Sequence, residues 1–184
     1  MQSAQPETRD EIVQAVRHAQ REGAEYWSAF DGEVFFRKIG ESWSPSETVR
    51  HLTKSIRAVT KGLTTPKLVL RLTFGKARRP SVDYDSLRSR YLGLLEAGGR
   101  AGRFAPSPQT DSDRATILQR VTLANDELEK ALGKWSERDL DRYQMPHPLL
   151  GKLTVREMLF FTVYHQHHHM AVTSRRRADA AGTP

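Results

Sequence analysis

Two places in this 184-residue chain carry side chains that suit a metal ion. One is the run Tyr164-His165-Gln166-His167-His168-His169, set inside an otherwise apolar stretch between FFTV and MAVTS. The other is His51, at the end of WSPSETVRH. Imidazole nitrogen is a common ligand for divalent transition metals. If the late run is helical, His165 and His169 lie four residues apart on one face, their Cβ atoms roughly 6 Å apart. Two such rings can converge on one ion through metal–nitrogen bonds near ~2.1 Å. At about 100° per residue, His167 projects almost opposite and His168 to one side, so only His165 and His169 of this run can share an ion. Met158, Phe161, Thr162 and Val172 share their face. Two ligands hold a metal weakly, and His51 is the best third. On a helix it would neighbour Thr48, Ser55 and Ala58, which leave room for an ion and a substrate. The spacing alone fits a plainer reading equally: histidines hydrogen-bonded within the fold, with no ion. His18 and His147 read as surface or loop residues and are given no role.

Other chemistries lack their residues. An HExxH protease needs a glutamate after the first histidine as base, and Gln166 occupies that position. A ferritin-like di-iron centre needs Glu-x-x-His on two helices, which Tyr164 to His169 does not offer. No strained Gly-x-Ser-x-Gly turn is present for Ser-His-Asp catalysis. With no cysteine in the chain, disulfides, thiolate sites and a Cys nucleophile are excluded. The net charge is +7, from 29 basic and 22 acidic residues, but most basic residues alternate with Glu and Asp as on solvated helix faces. Arg78 and Arg79, and Arg175 to Arg177, are the exceptions. With no zinc-finger spacing, RNA-binding aromatic motif or phosphate loop, nucleic acid is not an expected partner. A module binding nucleic acid through the basic C-terminal end is kept as an alternative. No apolar run reaches the ~18 residues of a membrane span, and no secretory signal opens the chain, so a cytoplasmic location without membrane contact is expected.

Four helical patterns must position the histidines. In the first, Ile12, Val13, Val16, Ala19 and Trp27 recur near a 3.6-residue period, and Asp31-Gly32 reads as the break after it. EVFFRKIGES reads as a loop with some extended structure. The second helix begins at Ser44, an N-cap followed by Pro45 at the first helical position and Glu47 closing a capping box. Val49, Leu52, Ile56, Val59 and Leu63 form its stripe, and Pro66 ends it. The third spans residues 113–133, with Ile117, Val121, Ala124, Leu128, Ala131 and Leu132 at helical spacing and Gly133 as C-terminal cap. The fourth starts from a capping box of Thr154 and Glu157 and runs to about Arg175, with Arg175 to Arg177 at its negative pole. Residues 66–110 are the least readable: KLVLRLTF fits a helix or a strand, residues 86–96 a short helix, and EAGGRAGRFAPSPQT irregular chain. Residues 134–152 read as turns with one helical turn at 136–140. No convincing strand pair emerges, so the fold class is all-α, a helix bundle. A single domain is expected over residues 1–177, with a frayed tail over 178–184.

WSPSETVRHL resembles the Trp-Ser-x-x-Glu signature, closed by a histidine, that begins the second helix of DinB-like proteins. HPLLGKLTVREMLFFTVYHQHHHM resembles the last-helix region of the same DinB/YfiT-like superfamily, where a His-Pro-x-x-Gly turn leads into a helix with a His-x-x-x-His pair. The resemblance implies a four-helix bundle of up-down-down-up type, often a homodimer. It also implies a divalent metal, usually nickel or zinc, on three histidines that here are His51, His165 and His169. Relatives include S-transferases and an isomerase that use low-molecular-weight thiols, so a thiol is an expected cosubstrate. The expected activity is metal-assisted activation of a thiol or of water, for S-transfer or hydrolysis. A non-catalytic protein with a structural metal is the alternative. Trp43, Glu47, Ser55, Phe161, Thr162 and Gln166 are candidates to line the pocket or orient the ligands. No catalytic residue and no substrate is readable.

Overall fold

The computed structural model describes residues 6–106 and 113–181. Its helices are α1 (Arg9–Ser28), α2 (Gly32–Phe36), α3 (Pro45–Thr64), α4 (Lys67–Phe74), α5 (Tyr84–Glu96), α6 (Arg114–Leu132), α7 (Glu137–Arg142) and α8 (Val155–Ala181). A 3-10 turn covers Gly102–Phe104, and strands β1 (Gln144–His147) and β2 (Gly151–Thr154) precede α8.

Local chemistry sets the ends of the long helices. Thr8 caps α1 in a capping box with Glu11. Ser44 and Glu47 do the same for α3, with Pro45 in the first turn. Thr154 and Glu157 exchange the two backbone–side-chain bonds of a capping box at α8. Each box satisfies amides that have no intrahelical partner. The stripes read from periodicity face inward: Ile12, Val16, Ala19 and Trp27 on α1, Val49 to Leu63 on α3, and Ile117 to Leu132 on α6 are buried.

Contacts between the long helices fix the topology. Arg9 donates to the Trp135 carbonyl, Arg17 pairs with Glu129, and Gln20 bonds Asp126, so α6 runs antiparallel to α1. His167 bonds Glu22 and Ser174 bonds Tyr26, so α8 runs parallel to α1. Trp43 meets His169 and His51 meets His165, which sets α3 antiparallel to α8. The Trp135 indole donates to the Leu63 carbonyl where α3 and α6 both end. The order is up-down-down-up, with α3 and α6 pointing the same way.

Three segments depart from the sequence reading, and KLVLRLTF, which by sequence fits a helix or a strand, is decided. EVFF is helical because Asp31 accepts the Val34 amide as an N-cap, rather than only ending α1. KLVLRLTF is a helix whose apolar residues are unevenly used: Leu70 is buried while Leu68, Val69 and Leu72 are exposed. The chain also contains a strand pair, contrary to the expectation of none. Gln144 pairs with Thr154 and His147 with Gly151 in an antiparallel hairpin. Its turn ends at Gly151, whose φ of 76° lies in the region that favours glycine. Helix α8 continues to Ala181, beyond Arg175 where the sequence reading ends the helix. The expected irregular chain over residues 107–110 and the last residues of the expected tail, 182–184, lie outside the described residues.

Segment 66–106 is tied back to α8. The buried Glu157 carboxylate takes both guanidinium nitrogens of Arg79, the Val82 amide at 2.8 Å and the Thr154 amide at 2.9 Å. Burial pushes its pKa up, but the Arg79 bonds and the two amides outweigh this and hold it below the usual carboxylate value. The pair fixes the segment before α5 against the first turn of the helix that carries the late histidines.

Candidate metal centre

The antiparallel pair α3 and α8 brings His51, His165 and His169 together. His165 Nε2 lies 3.0 Å from His51 Nε2 and 3.0 Å from His169 Nε2. One ligand atom from each ring lies within 4.8 Å of the other two. Bonds of ~2.1 Å allow two nitrogens on one ion to sit up to ~4.2 Å apart, so the set is within a small side-chain adjustment of coordination. His51 and His165 are 4% exposed, and His169 is half-buried.

The proton inventory of this cluster fits a cation. A neutral imidazole has one N–H and one lone pair. The Phe104 carbonyl accepts a 2.8 Å hydrogen bond from Nδ1–H of His51, which places that ring's one proton on Nδ1 and leaves a lone pair on Nε2. His165 Nε2 faces two nitrogens but can donate to one or accept from one. No assignment of neutral tautomers gives both 3.0 Å contacts a linear hydrogen bond. Protonation is disfavoured too. Burial, then the rings of His169 and His51, hold His165 well below the usual histidine value. Burial, then His51 and His168, do the same for His169. Burial also lowers His51, against the opposing pull of the Phe104 carbonyl. Three neutral rings whose Nε2 atoms converge can turn three lone pairs on one point, which is what a divalent ion of borderline softness requires.

Aromatic rings wall the cluster. Trp43 lies over His169, with ring centroids 6.3 Å apart and planes at 17°, and is 5.1 Å from His51. Phe161 stacks on His165 at 4.8 Å. The histidines open onto a cavity of about 930 Å³, also lined by Trp43, Ser55 and Phe161. That volume is at the upper end of small-molecule sites. Thr48, Ala58 and Val172, placed beside the histidines by the helical wheel, line it as well.

The remaining sequence candidates lie elsewhere. Glu47 accepts the Ser44 amide at 2.8 Å and serves as a cap. The Thr162 hydroxyl donates to the Met158 carbonyl in its own helix. Gln166, one position from His165, turns to the opposite side of α8 and packs with Trp27, Leu52 and Asn125 between the other helices. Its Nε2 has no hydrogen-bond partner among the described residues.

Sequence reading missed three contributors. Phe104 orients His51 through a carbonyl, which no side-chain pattern reveals. Tyr91, on α5, is buried against Phe161 at 5.1 Å and lines the cavity. His147, read as a surface or loop residue, is 9% exposed at the end of β1 and lines the cavity too. Its Nδ1 accepts the amides of Leu149 and Leu150 at 3.2 and 3.0 Å, so its proton resides on Nε2. Burial lowers its pKa to about 4, and the ring is neutral at pH 7. The His-Pro pair at 147–148 was the one available signal.

The family model described as the DinB superfamily matches residues 9–172, nearly the whole chain. The chain belongs to the DinB superfamily. YfiT from Bacillus subtilis, described as a probable metal-dependent hydrolase with an unusual four-helix bundle topology, is 16% identical with a TM-score of 0.62, over 100% of this chain and 93% of its own. TT2238, described as a four-helix bundle protein, is 17% identical with a TM-score of 0.57, over 91% of this chain and 99% of its own. At such identities the likeness establishes the four-helix bundle fold. No curated protein matches the sequence. Among the described residues, no helix is long and apolar enough to cross a membrane.

Proposed function

We propose that this chain is a divalent-metal-dependent enzyme with an ion held by His51, His165 and His169. The observation that carries the reading is the convergence of three histidine Nε2 atoms on the wall of a large cavity. Membership of the superfamily and the description of YfiT support it. With no carboxylate in the ligand set, nickel or zinc fits better than magnesium or calcium. When bound, the ion would supply Lewis acidity, making a water or low-molecular-weight thiol nucleophilic near neutral pH for hydrolysis or S-transfer.

The chain's own residues have definable parts. The Phe104 carbonyl fixes the His51 tautomer, so that Nε2 stays a lone pair. Trp43 and Phe161 cover the ring faces of His169 and His165 and exclude water from them. His147, its Nδ1 taken by two amides, retains an Nε2–H for donation at the cavity wall.

The test is a panel of thiol-transfer and ester- or amide-hydrolysis substrates, assayed with nickel- or zinc-loaded protein and with His165→Ala. Turnover by the wild type that the variant loses supports the reading. Metal binding without turnover on any substrate, with a lower Tm on metal removal, would favour a structural ion instead. We also propose a cytoplasmic homodimer, which the resemblance supports. Sedimentation equilibrium should give twice the 20.9 kDa chain mass, and a monomer would retract the dimer.

A further inference from the structure

The arginines at 175–177 do not sit at the end of their helix. Helix α8 continues to Ala181, and its last turn holds no basic residue, so compensation of the helix dipole does not explain them. Their positions separate them. Arg177 lies over the Phe30 ring, 4.6 Å from its centroid, on the α1 side. Arg175 and Arg176 line the same cavity as the three histidines. Positions 165, 169, 172 and 176 form one stripe of the helix, so Arg176 stands directly beyond the histidine pair.

A second segment brings charge to the same place. Arg100 and Arg103, in the chain after α5 that includes the 3-10 turn, also line the cavity. Glu41 is the one carboxylate among the described lining residues, and none of the four arginines is in an ion pair among them. The buried part of the lining includes the apolar side chains of Val59, Leu70, Tyr91 and Phe161. Cations of one sign at the mouth of a low-dielectric cleft focus the field on an incoming anion. Guanidinium groups recognise carboxylate and phosphate by paired, charge-assisted hydrogen bonds.

We propose that the substrate is an amphiphilic anion, with an apolar body inside the cavity and a carboxylate or phosphate held by Arg175 and Arg176, assisted by Arg100 and Arg103. This names a substrate class for the site proposed above and rests on that reading only for where the reaction occurs.

Isothermal titration calorimetry on the protein as purified tests it, with 2-naphthoate, 2-naphthyl phosphate and the neutral 2-naphthamide as probes. At least one anion should bind about tenfold or more tightly than the amide, the worth of a charge-assisted hydrogen bond. The double variant Arg175→Gln/Arg176→Gln should lose that preference while still binding the amide. Arg177→Gln, which removes the same charge from the other face, should keep it. The tighter of the two anions identifies the group. Equal binding of all three probes overturns the proposal. So does a preference that survives the double variant, which would place the anion on the ion, or one that Arg177→Gln weakens equally. Metal content measured on the same samples separates the two claims. A metal-free protein that prefers the anions through these arginines retires the metal and keeps the anion site, and a metal-loaded protein without the preference does the reverse.

Discussion

Replacing Arg79 with methionine tests whether segment 66–106 is held through Glu157 to the helix that carries His165 and His169. The carboxylate is fully buried, whereas the Arg79 side chain is 44% exposed. Breaking a buried pair from one side costs about 3–5 kcal/mol, because a charge is left without its partner. Here water can reach the position of the lost guanidinium, and the Val82 and Thr154 amides remain on the carboxylate. Those two facts bring the expected loss to about 2–3 kcal/mol at pH 7. For a chain of this size that is a fall in Tm of about 5–10 °C. The pH dependence is diagnostic. Wild-type Glu157 has a depressed folded pKa, so it contributes stability above its unfolded value of ~4.3, which is lost as the pH falls through the folded value. Without Arg79, burial raises the folded pKa, and the carboxyl of the variant protonates first on acidification. The deficit should therefore be largest at pH 7 and shrink at pH 4 and below. Urea unfolding followed by far-UV circular dichroism at both pH values measures it. A loss under about 0.5 kcal/mol at pH 7, or a deficit that grows on acidification, would refute the reasoning.

Further predictions follow from single contacts. Ser44→Ala removes the N-cap of α3 and should cost about 1 kcal/mol in the same unfolding assay. Gly62→Ala would drive a Cβ into Met145 Sδ, where α3 meets β1; overpacking at that buried thioether should outweigh the ~1 kcal/mol that alanine gains over glycine within a helix and leave a net loss of about 1 kcal/mol. Gln166→Leu, on the side of α8 away from the cavity, should leave metal content unchanged although it adjoins a proposed ligand, and elemental analysis decides this.

The bundle was legible because its long helices announce themselves twice, by stripe and by cap. Ser44-Pro45-Ser46-Glu47 and Thr154-Val155-Arg156-Glu157 place the two helices that bear the histidines to within a residue. The i, i+4 spacing then brings His165 and His169 together whatever the rest of the chain does. Short elements were harder. EVFF offers no full helical turn of periodicity, and Asp31 looks the same as a helix breaker or as a cap. The strands at Gln144–His147 and Gly151–Thr154 are too short for alternation to register, and Pro146 argues against a strand. His147 is turned inward by that hairpin, and beyond the adjoining Pro148 nothing near it in sequence marks it. Gln166 misled for the opposite reason: adjacency in sequence is a rotation of about 100° on a helix, which carried it to the other side. Likewise Arg175 and Arg176 change meaning only once the helix is seen to continue past them.

The central claim is that three imidazoles share one ion, and metal stoichiometry tests it most directly. Protein purified without an affinity tag should carry about one nickel or zinc per chain by elemental analysis. His165→Ala, which removes the nitrogen 3.0 Å from both partners, should abolish that content, while His167→Ala, bonded to Glu22 on the other side of the helix, should keep it. A wild type without metal, or a His165→Ala protein that retains its ion, would contradict the account.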